Sequence, residues 1–317
     1  MLNIDVVTIG EAMVLFEPHE NGLIQYTESF KKRIGGAESN VAIGLSRLGH
    51  SVTWISRLGE DPLGQYIHNF IQGEGVNVKV VFDANNATGL LFKESGGFTQ
   101  TNIYYFRKNS AASLLSPEDI CESDIVNARF LHITGITPAL SGSCLNAIIH
   151  AITLAKKNNV KVIFDPNIRT KLWNASTFIP VIKGILKMVD IFLPGEDELL
   201  MLFPDKEMDS IIAEILTFGV ETIVVKKGAA GATYYTVNRQ EDVSGYPNDN
   251  VVDPVGAGDG FAAGLLSGLL DGLTISESID RGNRVGSMVT MVRGDCEGLP
   301  TRKQLNNFQK NTSDVFR

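Results

Sequence analysis

Cysteine is scarce in this 317-residue chain, which contains only Cys121, Cys144 and Cys296. An odd number without C-x-x-C spacing argues against a disulfide framework or a cysteine metal cluster and suits a reducing compartment. No apolar run approaches the ~20 residues of a membrane-spanning helix, and the opening MLNIDVVTIGEA lacks the apolar core of a signal peptide. We therefore expect a soluble cytoplasmic protein without a membrane partner.

Positive charge is also in short supply, because 28 Lys and Arg stand against 36 Asp and Glu, for a net charge of −8. Partners rich in phosphate need a basic surface, so we expect no nucleic-acid partner. Hydrophobic residues make up 44% of the chain. That fraction and the length predict one large α/β domain over residues 1–317 with an insertion.

Three familiar phosphate-binding patterns are missing. The sequence has no GxxxxGK[ST], which excludes a P-loop, and no set of protein-kinase motifs. The pattern GxGxxG fails in GAGDGF, where Phe261 stands at the position of the third glycine, and the first strand VVTIGEAM lacks it too. Any phosphate chemistry in this chain needs another scaffold.

What the chain does have is a regular alternation of β-branched runs and helical patterns. Strands are predicted at 6–10, 51–59, 130–135, 161–167, 191–195 and 222–228. Helical spacing follows in segments such as 39–49 and 145–157. This alternation predicts a mostly parallel sheet with right-handed crossovers, in which ligands bind beyond the carboxyl ends of the strands.

Two segments, at about 11–35 and 87–111, interrupt the alternation with short strands and no intervening helix. We predict that they form a small antiparallel sheet, inserted in the α/β core, that projects over the strand ends as a lid. Exposed strands need covering, and pairing with a second copy is the usual solution, so we expect a homodimer through the lid.

The stretch DPVGAGDGF (253–261) crowds glycine and acid at the start of a helical pattern. Gly256 and Gly258 allow a ligand to approach N–H groups that lack an intrahelical acceptor, which is how helix N-termini bind anions. Asp259 in the first turn has two interpretations. It either complements the helix dipole or serves as a general base for a hydroxyl that receives a phosphoryl group.

DPVGAGDGF is similar to the second signature of the ribokinase-like (PfkB) sugar kinases, and IGGAESNVAIGLSRLG (34–49) resembles their first. The similarity extends to VVTIGEAMV and to the turn VKKGAAGA (225–232). It implies a three-layer α/β/α fold with a β lid and the phosphorylation of a sugar hydroxyl by ATP with Mg²⁺.

The resemblance also implies a role for individual residues. Asp259 would be the base, and the backbone of Gly256, Ala257 and Gly258 the anion hole. Gly36 and Asn40 would contact the sugar. The nucleotide would be held by Asn167, Lys226, Lys227, Gly228, Gly231 and, near the adenine, Asn283. Glu198 would organise Mg²⁺, although Gly195 stands where many members have an asparagine.

Three features favour an acidic sugar. Strand alternation puts Tyr105 and Arg107 on one face, where the arginine can engage a carboxylate; the alternative is a solvated arginine on an edge strand. Arg169 in DPNIR follows a buried strand and can neutralise the transferring phosphate or the acid, or else is a surface arginine. Asp295 in RGDCEGLP can accept sugar hydroxyls or stabilise its own turn.

The stretches YYFRKNSAAS, DPNIR, LPGEDE and RGDCEGLP resemble the 2-keto-3-deoxygluconate kinases of that family. This resemblance implies that Tyr105, Arg107, Arg169 and Asp295 bind a six-carbon keto acid, which is phosphorylated at its terminal hydroxyl. The alternatives are a fructokinase or another neutral-sugar kinase of the same family. A binding protein that has lost catalysis is a third hypothesis, based on the altered Asn-x-x-Glu motif.

Overall fold

The computed structural model describes residues 4–20, 23–94 and 102–308. The residues 21–22 and 95–101 of the two predicted lid segments lie outside this part. The strands are β1 Ile4–Ile9, β2 Met13–Pro18, β3 Phe30–Gly35, β4 Val52–Gly59, β5 Asn77–Asp83, β6 Leu90–Glu94, β7 Asn102–Phe106, β8 Ala128–Thr134, β9 Lys161–Asp165, β10 Ile191–Phe192, β11 Thr222–Lys226, β12 Gly231–Thr236 and β13 Arg239–Ser244.

The helices connect these strands and pack on them. They are α1 Ala37–Arg47, α2 Pro62–Gly73, α3 Glu122–Ile125, α4 Ile136–Leu140, α5 Gly142–Lys157, α6 Ala175–Leu186, α7 Glu196–Leu202, α8 Met208–Thr217, α9 Ala257–Leu270, α10 Ile275–Val289 and α11 Arg302–Asn307. None of these helices combines the length and apolarity that crossing a bilayer requires, for the residues that the structure describes.

A nine-stranded sheet forms the centre of the molecule, in the order β13-β12-β11-β10-β9-β8-β1-β4-β5. The strands from β11 to β5 are parallel, and β12 and β13 form an antiparallel hairpin at one edge. One face buries an apolar cluster with α5, α6, α7 and α8, and the other a cluster with α1, α2, α9 and α10. The predicted three-layer, mostly parallel α/β architecture is confirmed.

A separate four-stranded sheet has the order β3-β2-β6-β7. It consists of two antiparallel hairpins, but β2 and β6 at its centre are parallel, so the prediction of an all-antiparallel sheet was wrong. The reason lies in the large sheet. The chain enters β2 from β1 and β6 from β5, which run in the same direction, so both hairpins begin in the same direction.

Side chains on the two faces of the small sheet differ in character. Met13, Leu15 and Leu91 point toward the carboxyl ends of the large sheet, where they form a small buried cluster. On the opposite face, Tyr104 is 46% and Phe106 62% exposed. The small sheet therefore encloses a space above the strand ends and presents aromatic side chains on its outside.

Candidate active site

The start of α9 is shaped by Gly256, the residue just before the helix, which has a φ of +82°. A Cβ atom at this position would lie 2.3 Å from the carbonyl oxygen of Asp295, so both conformation and space require glycine. No side chain caps the helix. The first N–H groups of the helix lack an intrahelical acceptor, although the Ala257 N–H donates a long hydrogen bond of 3.3 Å to the carbonyl oxygen of Pro254, and this end of the helix favours an anion.

Asp259 lies in the first turn of α9 beside these N–H groups. Its Oδ2 accepts a hydrogen bond of 2.8 Å from Asn40 Nδ2 on α1. Burial raises the pKa of Asp259 to about 7, helped by the neighbouring carboxylates of Asp165 and Asp295, while the Asn40 hydrogen bond and Arg169 act in the opposite direction. A carboxylate with this pKa can exchange a proton near neutral pH, which is the property that a general base needs.

A cavity of about 370 Å³ opens between the small sheet and the carboxyl ends of the large sheet. Asp259, in the first turn of α9, lies in the wall of this cavity. The predicted site residues that line this cavity are Gly36, Asn40, Tyr105, Arg107, Asn167, Arg169, Glu198, Lys226, Gly256, Gly258, Asp259 and Asp295. They come from seven separate stretches of the chain, which the fold brings together at the carboxyl ends of the parallel strands.

A second cavity of about 310 Å³ lies on the other side of the α9 N-terminus, between β11–β12 and α10. Of the residues predicted for the nucleotide and the anion hole, it is lined by Lys226, Gly228, Gly231, Ala257, Gly258 and Asn283. Tyr246, Val251 and Phe261 contribute much of its apolar surface. The two cavities share Lys226, Pro254 and Gly258, so their contents would meet at the start of α9.

Two residues predicted for the nucleotide lie elsewhere. Asn167 lines the first cavity and not the second, because it follows β9 on the side of the small sheet. Lys227 lines neither cavity, and its Nζ is 3.3 Å from Asp242 Oδ1 on β13. Adjacent residues of an extended chain project to opposite sides, so Lys226 and Lys227 cannot both face the cavities.

Most of the cations in the first cavity are paired with carboxylates. Arg107 forms an ion pair with Glu11, and Lys226 Nζ is 2.6 Å from Asp165 Oδ2. Burial alone would lower the pKa of Lys226, but the surrounding carboxylates, Asp165 first, raise it. Among the cationic residues of the described ranges that line this cavity, Arg169 is the one without a carboxylate within 4.0 Å. Its guanidinium is therefore free to meet a charged ligand.

Asp295 closes the cavity on the side of the small sheet. Its Oδ2 lies where a Cβ atom at Gly35 would be, at 2.6 Å, so the glycine makes room for the carboxyl group. Its Oδ1 is buried and has no hydrogen-bond partner among the described residues. Burial raises the pKa of Asp295 to about 6, while the Lys93 ammonium lowers it. An unpartnered buried oxygen in a cavity wall indicates a contact with a ligand.

Glu198 and Asp165 are the acidic residues with which a magnesium ion could interact. Both Glu198 oxygens already accept backbone N–H groups, from Ile168 at 2.8 Å and Gly195 at 2.7 Å. Within the described ranges, no cluster of three His, Cys, Asp or Glu is arranged to hold a metal. Magnesium in nucleotide sites is often bound by one or two carboxylates together with phosphates. The pair fits that role and does not form an all-protein cage.

Sequence reasoning missed several charged residues of the site. Lys93 is completely buried, lines the first cavity and forms an ion pair with Asp253 of DPVGAGDGF. Glu11 and Glu38 are also buried and line the same cavity. A signal for Lys93 exists in the sequence, because strand alternation in LLFKE places it on the same face as Leu91. The partners of these residues are distant in sequence and left no such signal.

Comparison with known proteins agrees with this architecture. A family model described as pfkB family carbohydrate kinase matches residues 3–302. The chain is 38% identical to the 2-dehydro-3-deoxygluconokinase of Bacillus subtilis over 310 residues, which cover 97% of this chain and 96% of that protein. It is 30% identical to the 5-dehydro-2-deoxygluconokinase of Clostridium beijerinckii over 322 residues, which cover 98% and 94%.

Among solved structures, a suggested ribokinase II of E. coli in complex with ATP and Mg²⁺ superposes with a TM-score of 0.89. The identity is 28%, and the alignment covers 96% of this chain and 98% of that chain. The fold is therefore the α/β fold of the ribokinase-like proteins. The chain belongs to the pfkB family of carbohydrate kinases, as the sequence signatures predicted.

Proposed function

We propose that this kinase transfers the γ-phosphoryl group of ATP to the terminal hydroxyl of 2-keto-3-deoxygluconate, giving 2-keto-3-deoxy-6-phosphogluconate and ADP. The observation that carries the proposal is that Asp259 lines the first cavity, with its cations and hydroxyl-binding groups, directly beside Gly258, a residue that this cavity shares with the largely apolar second cavity. The identity to a 2-dehydro-3-deoxygluconokinase over nearly the whole chain supports the choice of sugar.

In this proposal the sugar acid occupies the first cavity, and the small sheet acts as its lid. Tyr105, Arg107 and Asp295 bind the acid end and the hydroxyl groups of the substrate. Gly36 and Asn40 contact its remaining carbon atoms. Arg169, which has no carboxylate within 4.0 Å, meets either the substrate carboxylate or the transferring phosphoryl group. A carboxylate held by a guanidinium gains two parallel charge-assisted hydrogen bonds.

ATP occupies the second cavity, with its adenine near Asn283 and its phosphates at the start of α9. The Asn283 side chain donates to the carbonyl oxygens of Val243 and Ser244, at 3.2 and 3.3 Å, which fixes its position in the wall. Gly228 and Gly231 allow the β11–β12 turn to approach the nucleotide closely. Lys226 lies at the boundary of both cavities and can approach the phosphates from there.

The transfer then follows from the arrangement around Asp259. The terminal hydroxyl oxygen attacks the γ-phosphorus, its proton moves to Asp259, and the bond from the γ-phosphorus to the bridging oxygen of ADP breaks. N–H groups of Gly256, Ala257 and Gly258 stabilise the charge on the phosphoryl oxygens. Glu198 and Asp165 would help to hold Mg²⁺, which would supply positive charge against the phosphate oxygens.

The experiment that tests the substrate is a coupled ADP-release assay over a panel of acceptors. The panel contains 2-keto-3-deoxygluconate, 5-keto-2-deoxygluconate, fructose and ribose, at equal ATP and Mg²⁺. We expect kcat/KM to be highest for 2-keto-3-deoxygluconate by at least about 10²-fold over the neutral sugars, because only acids use the guanidinium contacts. A fructokinase or other neutral-sugar kinase would reverse that order, and sugar-independent ATP consumption would dismiss both.

We also propose a homodimer that covers the outer face of the small sheet. Phe16, Phe92 and Phe106 form a row of ring contacts there, with centroids 5.3 and 5.8 Å apart. Phe106 is mostly exposed in the single chain, and a second copy is the partner that would bury it. Sedimentation of the wild-type protein and of Phe106→Ser tests this: we expect a dimer for the first and dissociation for the second, and a wild-type monomer would refute it.

A further inference from the structure

Glu38, in the first turn of α1, is a buried carboxyl group for which the proposed reaction has no role. Its side chain packs so closely against Gly10 that a Cβ atom there would lie 2.2 Å from the carboxyl carbon. The residue is 1% exposed, yet it lines the first cavity beside Gly36 and Asn40. A group in this position is either part of the fold alone or part of the binding surface.

The two oxygens of Glu38 have different surroundings. Oε1 accepts hydrogen bonds from the hydroxyls of Thr134, at 2.6 Å, and Thr137, at 2.9 Å. Oε2 is buried and has no hydrogen-bond partner among the described residues. No cation of the described chain lies within 4.0 Å of either oxygen. Because an ionised carboxylate buried without a cation is costly, the group is most stable as the neutral acid, with its proton on Oε2.

The charged groups near Glu38 do not alter this conclusion. Arg107 is the cation whose charge acts on Glu38, and Arg107 is already paired with Glu11. Thr134, Thr137 and Gly10, which contact the carboxyl group, do not ionise. Burial raises the pKa of Glu38, while the threonine hydrogen bonds and Arg107 lower it, and the net direction is upward.

We propose that Glu38 binds the substrate directly, as a neutral acid that donates a hydrogen bond from Oε2 to an acceptor oxygen at the acid end of the sugar. The inference rests on the proposed keto-acid substrate, whose carbonyl and carboxylate oxygens are acceptors. Arg107, which directly follows β7, and Glu38, on α1, both line the first cavity. The Arg107 guanidinium would supply positive charge to the acid end of the sugar, and the Glu38 carboxyl proton would supply a directed hydrogen bond to the same end.

Glutamine is the decisive replacement for Glu38 because it reproduces the neutral acid. In Glu38→Gln the amide oxygen can accept from Thr134 and Thr137, and the amide nitrogen can donate where Oε2–H did. Glu38→Met fills a similar volume but has no donor. We expect the KM for 2-keto-3-deoxygluconate to stay within about threefold of wild type in Glu38→Gln and to rise about 10- to 100-fold in Glu38→Met.

A matched control separates binding from folding. Thr137→Val removes one hydrogen bond to Oε1 and leaves Oε2 intact, so it should lower the unfolding temperature without raising the KM more than about threefold. The Kd of ATP should be unchanged in all three variants, since Glu38 does not line the second cavity. If Glu38→Met does not fold, the KM of Glu38→Gln and its pH dependence still test the proposal, because a glutamate that bound the substrate only as the ionised carboxylate would lose that contact in Glu38→Gln.

The pH dependence supplies a second test, which asks whether Glu38 binds in its neutral form. The ratio of the Glu38→Gln KM to the wild-type KM should stay constant or fall as pH rises, because ionisation weakens only the wild-type contact. A ratio that rises with pH, a Glu38→Gln variant as impaired as Glu38→Met, or a Glu38→Met variant with wild-type KM would overturn the proposal. Failure of the wild-type protein to phosphorylate the keto acid would instead refute the proposed function.

Discussion

Replacing Asp259 with asparagine should abolish catalysis and stabilise the protein at the same time. The change removes the proton acceptor but keeps an oxygen for the Asn40 Nδ2 donor, which lies 2.8 Å from Asp259 Oδ2. We expect the rate of phosphoryl transfer to fall by about 10²- to 10⁴-fold, the usual contribution of a general base. ATP should still bind, because Asp259 does not line the second cavity.

The gain in stability follows from the pKa of the same group. The pKa of Asp259 is raised from its ordinary value of 3.8 to about 7 by burial. Because each unit corresponds to about 1.4 kcal/mol, ionising Asp259 costs the folded state about 4 kcal/mol at most. Asp259 is only half-buried, so we discount this to about 2 kcal/mol for screening by water.

Because the pKa of Asp259 is raised in the folded state, the gain in stability from Asp259→Asn depends on pH. Between the unfolded pKa near 3.8 and the folded pKa near 7, the unfolded chain releases the proton first, so wild-type stability falls as pH rises. Above pH 7 the cost is fully present, and asparagine avoids it. The advantage of Asp259→Asn in the free energy of unfolding should therefore be larger at pH 8 than at pH 5.

Urea unfolding at pH 5 and pH 8, together with the coupled ADP-release assay, measures both effects. The control is Asp197→Asn, which removes an exposed carboxylate of α7 and should change stability by less than about 0.5 kcal/mol. Substantial activity in Asp259→Asn would refute the assignment of the base. A stability advantage that is absent at pH 8, or larger at pH 5, would refute the burial argument.

Three further predictions concern the surroundings of the base. The kcat/KM of the wild-type protein should fall about tenfold per pH unit below pH 7. Asn40→Leu should move this acidic limb of the profile to higher pH, because the Asn40 hydrogen bond lowers the pKa of Asp259, and an unmoved limb would contradict the geometry. Arg107→Ala should raise the KM for the keto acid about 10- to 100-fold while the KM for fructose changes little, and an equal change for both would exclude a carboxylate contact. Lys93→Met should lower the free energy of unfolding by about 3 kcal/mol or more because it leaves Asp253 buried without its cation, and Lys93→Met/Asp253→Asn should recover part of the loss in urea titrations.

The general plan of the molecule was predictable because it depends on local patterns. Uniformly apolar runs such as KVIFDPN indicate strands buried on both faces, and parallel strands place their carboxyl ends at one edge. The start of α9 was predictable from Gly256 and the helical spacing after it, and the structure begins the helix at Ala257. Alternation in β7 was enough to put Tyr105 and Arg107 toward the cavity.

The charges that complete the site were not predictable, because they depend on which elements approach each other in three dimensions. Lys93 and Asp253 are 160 positions apart, and nothing near either residue indicates that they pair. The same holds for Arg107, which follows β7, and Glu11, which precedes β2. The parallel pairing of β2 with β6 was also missed, because it depends on the direction in which the chain leaves β1 and β5 of the large sheet.

One consequence concerns the wall that both cavities share. Lys226, Pro254 and Gly258 line both cavities, so a small adjustment of these residues when one cavity is filled would change the free energy of filling the other. Thermodynamic linkage makes such coupling mutual: the factor by which nucleotide alters the affinity for sugar must equal the factor by which sugar alters the affinity for nucleotide. With nucleotide and sugar bound as proposed, each ligand would therefore act as an effector of the other through the three shared residues.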